Sequence, residues 1–157
     1  MLPSRLVSVF SCLVGIAACT TTTSSTSVPP VTGILVRADA LVARYGCGRN
    51  PGQVYRYVAT VVDTNGANVA GQVVDCFADA WFVNLPPAAD SGSTSYGIAV
   101  FAFDEPAFTT LNAGGFIDAS ASNYGAMQQI KANYTAKCTA TQSENVQAIA
   151  ECEPLLP

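Results

Sequence analysis

The chain of 157 residues contains no histidine. That removes the usual general base of hydrolases and the commonest transition-metal ligand. Charge is also scarce, at 11% of residues, and nowhere forms a basic run. Nucleic-acid binding and electrostatic adhesion to anionic lipid both need such a run, so neither is expected. With few Glu, Lys and Arg but abundant Ala, Val, Thr and Ser, long charge-laddered helices cannot be written, and β structure is favoured. The apolar run Leu6–Ala18 covers thirteen positions and is interrupted by Ser8, Ser11 and Cys12. That is signal-peptide length, against the ~20 residues a membrane-crossing helix needs. No Gly-x-Ser-x-Gly elbow occurs. Gly46-x-Gly48 lacks the third glycine and the following helix of a phosphate cradle, and no cofactor motif is read.

What is present begins with the leader. Arg5 is its only charged side chain, and it closes on Ile16-Ala17-Ala18-Cys19. An aliphatic residue, two small residues and a cysteine in that order resemble the lipobox of bacterial lipoprotein precursors. The resemblance implies cleavage between Ala18 and Cys19, a diacylglyceryl thioether on Cys19 and acylation of the new amino terminus. Two or more acyl chains hold a protein stably at a membrane, whereas one binds only marginally. Thr20 is not the aspartate that resembles an inner-membrane retention signal, so outer-membrane sorting is implied. The competing reading is an ordinary secretory leader cut nearby with Cys19 a bystander. A second candidate, Val9-Phe10-Ser11-Cys12, carries a bulky Phe10 and a truncated apolar run.

Three segments follow from this: a signal peptide over 1–18, a Thr/Ser/Pro tether over 19–30, and a folded domain over 31–157. In the tether TTTTSSTSVPP nothing can build a core, and Pro29-Pro30 favours an extended exit. Losing Arg5 with the leader leaves six basic and eleven acidic side chains, a formal charge of −5. The expected membrane contact is therefore the lipid anchor. Four cysteines remain after Cys19, namely Cys47, Cys76, Cys138 and Cys152, and an even count in an exported chain reads as two disulfides. Three connectivities are open. Cys47–Cys76 with Cys138–Cys152 is the expected one, since both close moderate loops. A zinc site is the rival reading, without the short ligand spacings it needs.

The domain reads as mostly strands. Ile34-Leu35-Val36 is a candidate first strand, and Leu41–Tyr45 is expected to continue or follow it as strand. Gly46–Gly52 is a loop. Gln53–Asp63 is β-branched and aromatic throughout, and Asn65-Gly66 supplies the strongest two-residue hairpin signal. A two-residue turn predicts the pairs Val62/Val69, Val58/Val73, Arg56/Asp75 and Tyr55/Cys76, with Tyr55, Tyr57, Ala59 and Val61 on the core face. Calcium binding by Asp63, Asn65 and Asn68 is the weaker alternative to a hairpin. Trp81–Leu85 is the next strand, stopped by Pro86-Pro87. Ser95–Asp104 is apolar on both faces, as a central strand must be. Asp104 caps a short helix from Glu105, with Pro106 in its first turn. Asn112–Asn123 reads as loop, and Met127–Asn133 as either helix or strand. Tyr134–Thr141 and Val146–Glu153 are expected as a hairpin cross-linked by Cys138–Cys152.

Val61-Val62-Asp63-x-x-Gly66, Val69-Ala70-Gly71, Phe82-x-Asn84-Leu85-Pro86 and Tyr96-x-Ile98-x-Val100 together resemble the transthyretin- or carboxypeptidase-regulatory-type β-sandwich, an Ig-like fold. The stretch between Gly71 and Phe82 is shorter than in that family, and no site is carried over. The fold class expected is all-β: an Ig-like or transthyretin-like antiparallel sandwich with one or two short helical turns and two disulfides.

For chemistry, Asp104 and Glu105 are adjacent and point apart on a strand. Asp75 and Asp79 could share a rim, though surface charge beside turns is the plainer reading. Tyr45, Trp81, Tyr96 and Tyr124 are candidate binding aromatics, against the ordinary role of filling a core. The functional expectation is a non-catalytic module that binds a protein of the envelope. The alternative is a glycan-binding module, and a carboxylate-based enzyme ranks last.

Overall fold

The structure is a computed structural model describing residues 32–86, 92–117 and 124–155. The leader, Cys19 and the tether lie outside the described residues. Among the described residues eight strands form two sheets: β1 (Gly33–Arg37), β2 (Arg56–Val62), β3 (Asn68–Asp75), β4 (Ala80–Val83), β5 (Ser93–Phe103), β6 (Tyr134–Ser143), β7 (Gln147–Glu151) and β8 (Glu153–Pro154). Their orders are β4-β1-β7 in the small sheet and β3-β2-β5-β6-β8 in the large one. Every pairing is antiparallel except β1 with β7, which is parallel. The chain is thus an all-β sandwich with short helices and two disulfides, Cys47–Cys76 and Cys138–Cys152.

The main core lies between the sheets. Ile34 and Val36 of β1 meet Tyr57, Ala59 and Val61 of β2 and Ile98 and Val100 of β5. The central strand β5 sends its alternate residues Ala99, Phe101 and Phe103 into a second core. There they pack with Val58 beneath Phe108, Ile117 and Met127. That second core is roofed by α2 (Glu105–Ala113) and α3 (Tyr124–Gln129). The centre of the large sheet is therefore buried on both sides, which is why β5 is apolar on both faces from Ile98 to Phe103. Asp104 caps α2 as expected, its carboxylate accepting from the Ala107 amide at 3.0 Å.

Four local expectations need correction. Leu41–Tyr45 is not strand but part of α1 (Asp39–Tyr45). Asp39 in the first turn and Arg44 in the last complement the helix dipole, and Leu41 turns fully inward with Val42 and Tyr45 packed partly against the core, one face of a helix. The hairpin pairs as predicted from Arg56/Asp75 to Val61/Ala70, but a bulge then puts Val62 opposite Asn68, not Val69. The cause is Asp63, whose carboxylate accepts from the amides of Asn65 and Ala67, each at 2.8 Å, and so widens the turn. Gly66 sits within it at φ 80°, a conformation most side chains resist.

Tyr55 leaves the core face as well. Val54, bridged to Cys47, takes the inner place, and the Tyr55 ring turns to Phe108 at 5.8 Å between centroids. The expected hairpin of Tyr134–Thr141 with Val146–Glu153 splits in two. Its far end keeps register, with Ala136 opposite Pro154 and Lys137 opposite Glu153, and the disulfide follows at Cys138–Cys152. Residues 147–151 instead swing away to pair with β1. This strand hence changes sheets, and the second disulfide sits where the two sheets part. Of the undecided stretch Met127–Asn133, residues 127–129 are the end of α3, with Met127 wholly buried, and residues 130–133 are neither helix nor strand.

Candidate surface for binding

Alternation along three strands decides which side chains the small sheet turns outward. Ile34, Val36, Ala80, Phe82 and Ala150 face the core. Their neighbours Leu35, Trp81, Val83 and Ile149 therefore face away from it. The register aligns Trp81, Leu35 and Ile149 in one row across β4, β1 and β7. Ile149 is 56% exposed and Val83 42%, while Trp81 and Leu35 are half-buried. Gly33 completes this floor. A Cβ there would stand 2.5 Å from the Phe82 carbonyl oxygen and 3.3 Å from the Trp81 ring, so only glycine lets the indole lie close to the sheet. Arg37, Gln147 and Glu151 rim the patch, with Arg37 paired to Asp39 at 2.8 Å. An aliphatic row with one indole and a polar rim can desolvate a partner's apolar side chains.

A second surface gathers around the first disulfide. Arg49 and Arg56 lie 5.2 and 5.3 Å from the Tyr55 ring, one pairing with Glu105 at 2.9 Å and the other with Asp75 at 2.7 Å. Beside them Phe77, directly after Cys76, is 86% exposed. The cleft they line has a volume of about 420 Å³. Each guanidinium there is already matched by a carboxylate, leaving no surplus charge for an ionic ligand. Three of the four carboxylates weighed for catalysis have structural partners: Asp75 holds Arg56, Glu105 holds Arg49, and Asp104 caps α2, while Asp79 is exposed in the turn before β4. Among the described residues no group of three or more Cys, Asp or Glu could hold a metal ion, and no helix is long and apolar enough to cross a membrane.

The candidate aromatics fall in different places. Trp81 lies on the outward row. Tyr45 is half-buried and stacks on Tyr134, centroids 3.7 Å apart and planes at 14°. Tyr96 is 2% exposed, and its hydroxyl donates to the Pro86 carbonyl. Burial raises its pKa above the ordinary tyrosine value. Tyr124 opens α3, and its side chain lies outside the described residues. Sequence reasoning missed Ile149 and Phe77. Ile149 is legible only once β7 is known to join the small sheet, and Phe77 only once the turn after Cys76 is seen to project it.

No protein family, curated protein or solved structure matches this chain.

Proposed function

We propose that this chain is a lipid-anchored protein of a bacterial cell envelope, carrying a non-catalytic module that binds a protein partner. The lipobox Ile16–Cys19 and the Thr/Ser tether support the anchor and, with Thr20, an outer-membrane address. Two disulfides fit an oxidising compartment. The transthyretin-type kinship of residues 61–100 belongs to the same proposal and rests on the residue pattern alone. The observation that carries protein binding is the outward row Trp81–Leu35–Ile149. It is flat, aliphatic at two positions of three, and built on paired strands, not on a loop.

The row also favours a protein over a glycan. Sugar recognition by stacking needs several exposed rings spaced along the ligand. On this face Trp81 is the one aromatic among the described residues, while Tyr96 is buried and Tyr45 is covered by Tyr134. Glycan binding stays the second reading on the strength of Trp81 itself. The test places a photo-crosslinking residue at Ile149 of the full-length chain in intact cells, and at Asn65 on the hairpin turn as control. Discrete protein adducts from position 149 but not 65, abolished by Trp81→Ala, are the expected outcome. Adducts to cell-wall glycan would favour the second reading, and none from either position would remove the face from consideration. Cys19→Ala should release the protein from the membrane fraction. Unchanged membrane partition would overturn the anchor.

A further inference from the structure

A sheet edge exposes main-chain groups that seek another strand, and proteins usually block it. Of the four sheet edges among the described residues, three are blocked. β4 has the Trp81 amide capped by the Gln72 side-chain oxygen at 2.9 Å. β8 is two residues long and contains Pro154. β7 is pinned beside β6 by the Cys138–Cys152 bond at one end and the short turn at the other, where the Val146 amide meets the Ser143 carbonyl. β3 differs. It has eight residues and no Pro or Lys, and the bulge at its start leaves Ala70–Asp75 regular.

The bond from the Cys76 amide to the Tyr55 carbonyl fixes the alternation on β3. Ala70, Gln72 and Val74 address β2, so the main chain of Gly71 and Val73 faces outward. Just beyond stands Phe77, the most exposed large apolar side chain among the described residues at 86%.

We propose that β3 pairs with β3 of a second copy in an antiparallel, two-fold arrangement about Gly71–Gln72. The segment Val69-Ala70-Gly71-Gln72-Val73 reads nearly the same from either end, with valine flanking glycine on both sides. A two-fold interface must be complementary to itself, and this one is. With the axis at Gly71 or at Gln72, Asp75 falls opposite Ala67 or Val69, so the one carboxylate of β3 does not meet its own copy. Asp75 is in any case paired to its own Arg56 at 2.7 Å. The same two registers set Phe77 opposite Asn65 or Ala67, and each copy's exposed ring covers the other's Asp63–Ala67 turn. An unrelated strand could use the edge but would give Phe77 no such partner. This edge adjoins the Trp81–Leu35–Ile149 row through the Gln72–Trp81 bond but presents different groups, the β3 main chain and Phe77, and the inference does not rest on that reading.

The test uses the full-length chain in its native envelope, in cells carrying two differently tagged copies. A photo-crosslinking residue at Val73 should yield an adduct of twice the chain mass that carries both tags. Phe77→Ser, at a position too exposed to matter for folding, should cut that adduct about tenfold, the loss of one interfacial anchor. Val73→Lys, a charge on the edge, should abolish co-purification of the two tags while urea melting stays unchanged. Adducts holding only other proteins, no adduct, or an equal yield from a crosslinker at Lys137 would each overturn the pairing.

Discussion

At the scale of residues, a few polar side chains settle the local geometry. Asp104 accepts from the Ala107 amide, while its own amide donates to the Asn133 side chain at 3.0 Å. Asp104→Ala should lower stability by about 1 kcal/mol, the usual worth of such a cap, read from the urea midpoint. Tyr57 is wholly buried and donates to the Ala78 carbonyl at 2.6 Å. Burial first, and then the Asp79 carboxylate, push its pKa well above the ordinary 10.0. Burial also raises Tyr96 and Tyr134. A folded pKa above the unfolded one means stability is complete below pH ~10 and falls as pH rises past it, because the unfolded chain releases protons that the native one retains. Tyr57→Phe should flatten that alkaline decline in melts taken between pH 9 and 12, and an unaltered slope would count against this assignment. Asp63 runs the other way. The Ala67 amide, with that of Asn65, holds its carboxylate below the ordinary range. Its contribution is present above pH ~4 and lost as acid protonates it, so Asp63→Asn should shallow the acid limb.

At the scale of elements, the cross-links act where strands change allegiance. Cys138–Cys152 closes a separation of 14 residues and Cys47–Cys76 one of 29. By loop-closure entropy each removal should cost about 3 kcal/mol. Paired Cys→Ala variants compared in urea should each show it, and equal melting with and without reductant would refute both. The element pattern was legible where one force dominated. From Tyr96 to Phe103 β5 carries no charged or strongly polar side chain on either face, which marks a central strand, and Arg56 opposite Asp75 follows from counting out from Asn65-Gly66. It was not legible where a local competitor intervened. The Asp63 carboxylate inserted a bulge that no propensity scale contains. Leu41–Tyr45 suits strand by composition, and helix won because the preceding Asp39 and the inward Leu41 fit one amphipathic turn.

At the scale of the whole molecule, the outward row proposed for binding exists only because β7 leaves β6 and lies parallel to β1. That step brings Ile149 beside Leu35 and Trp81, residues far apart in the chain. Ile149→Asp should leave the melting midpoint within about 0.5 kcal/mol of wild type, as an exposed substitution does, while abolishing the adducts expected at that face. A large loss of stability would instead make the side chain structural. From the sequence alone came what depends on short-range pattern: the leader and its cysteine motif as expectations, and the all-β class, the disulfide pairs and the cap at Asp104, which the structure bears out. Tertiary structure alone decided which face of each strand meets water, and so which aromatics are free. A strand's two faces look alike in sequence when both are apolar, and burial is set by whatever packs opposite. Tyr96 vanished under the Pro86 segment and Trp81 did not, because the small sheet has a second layer on one side only.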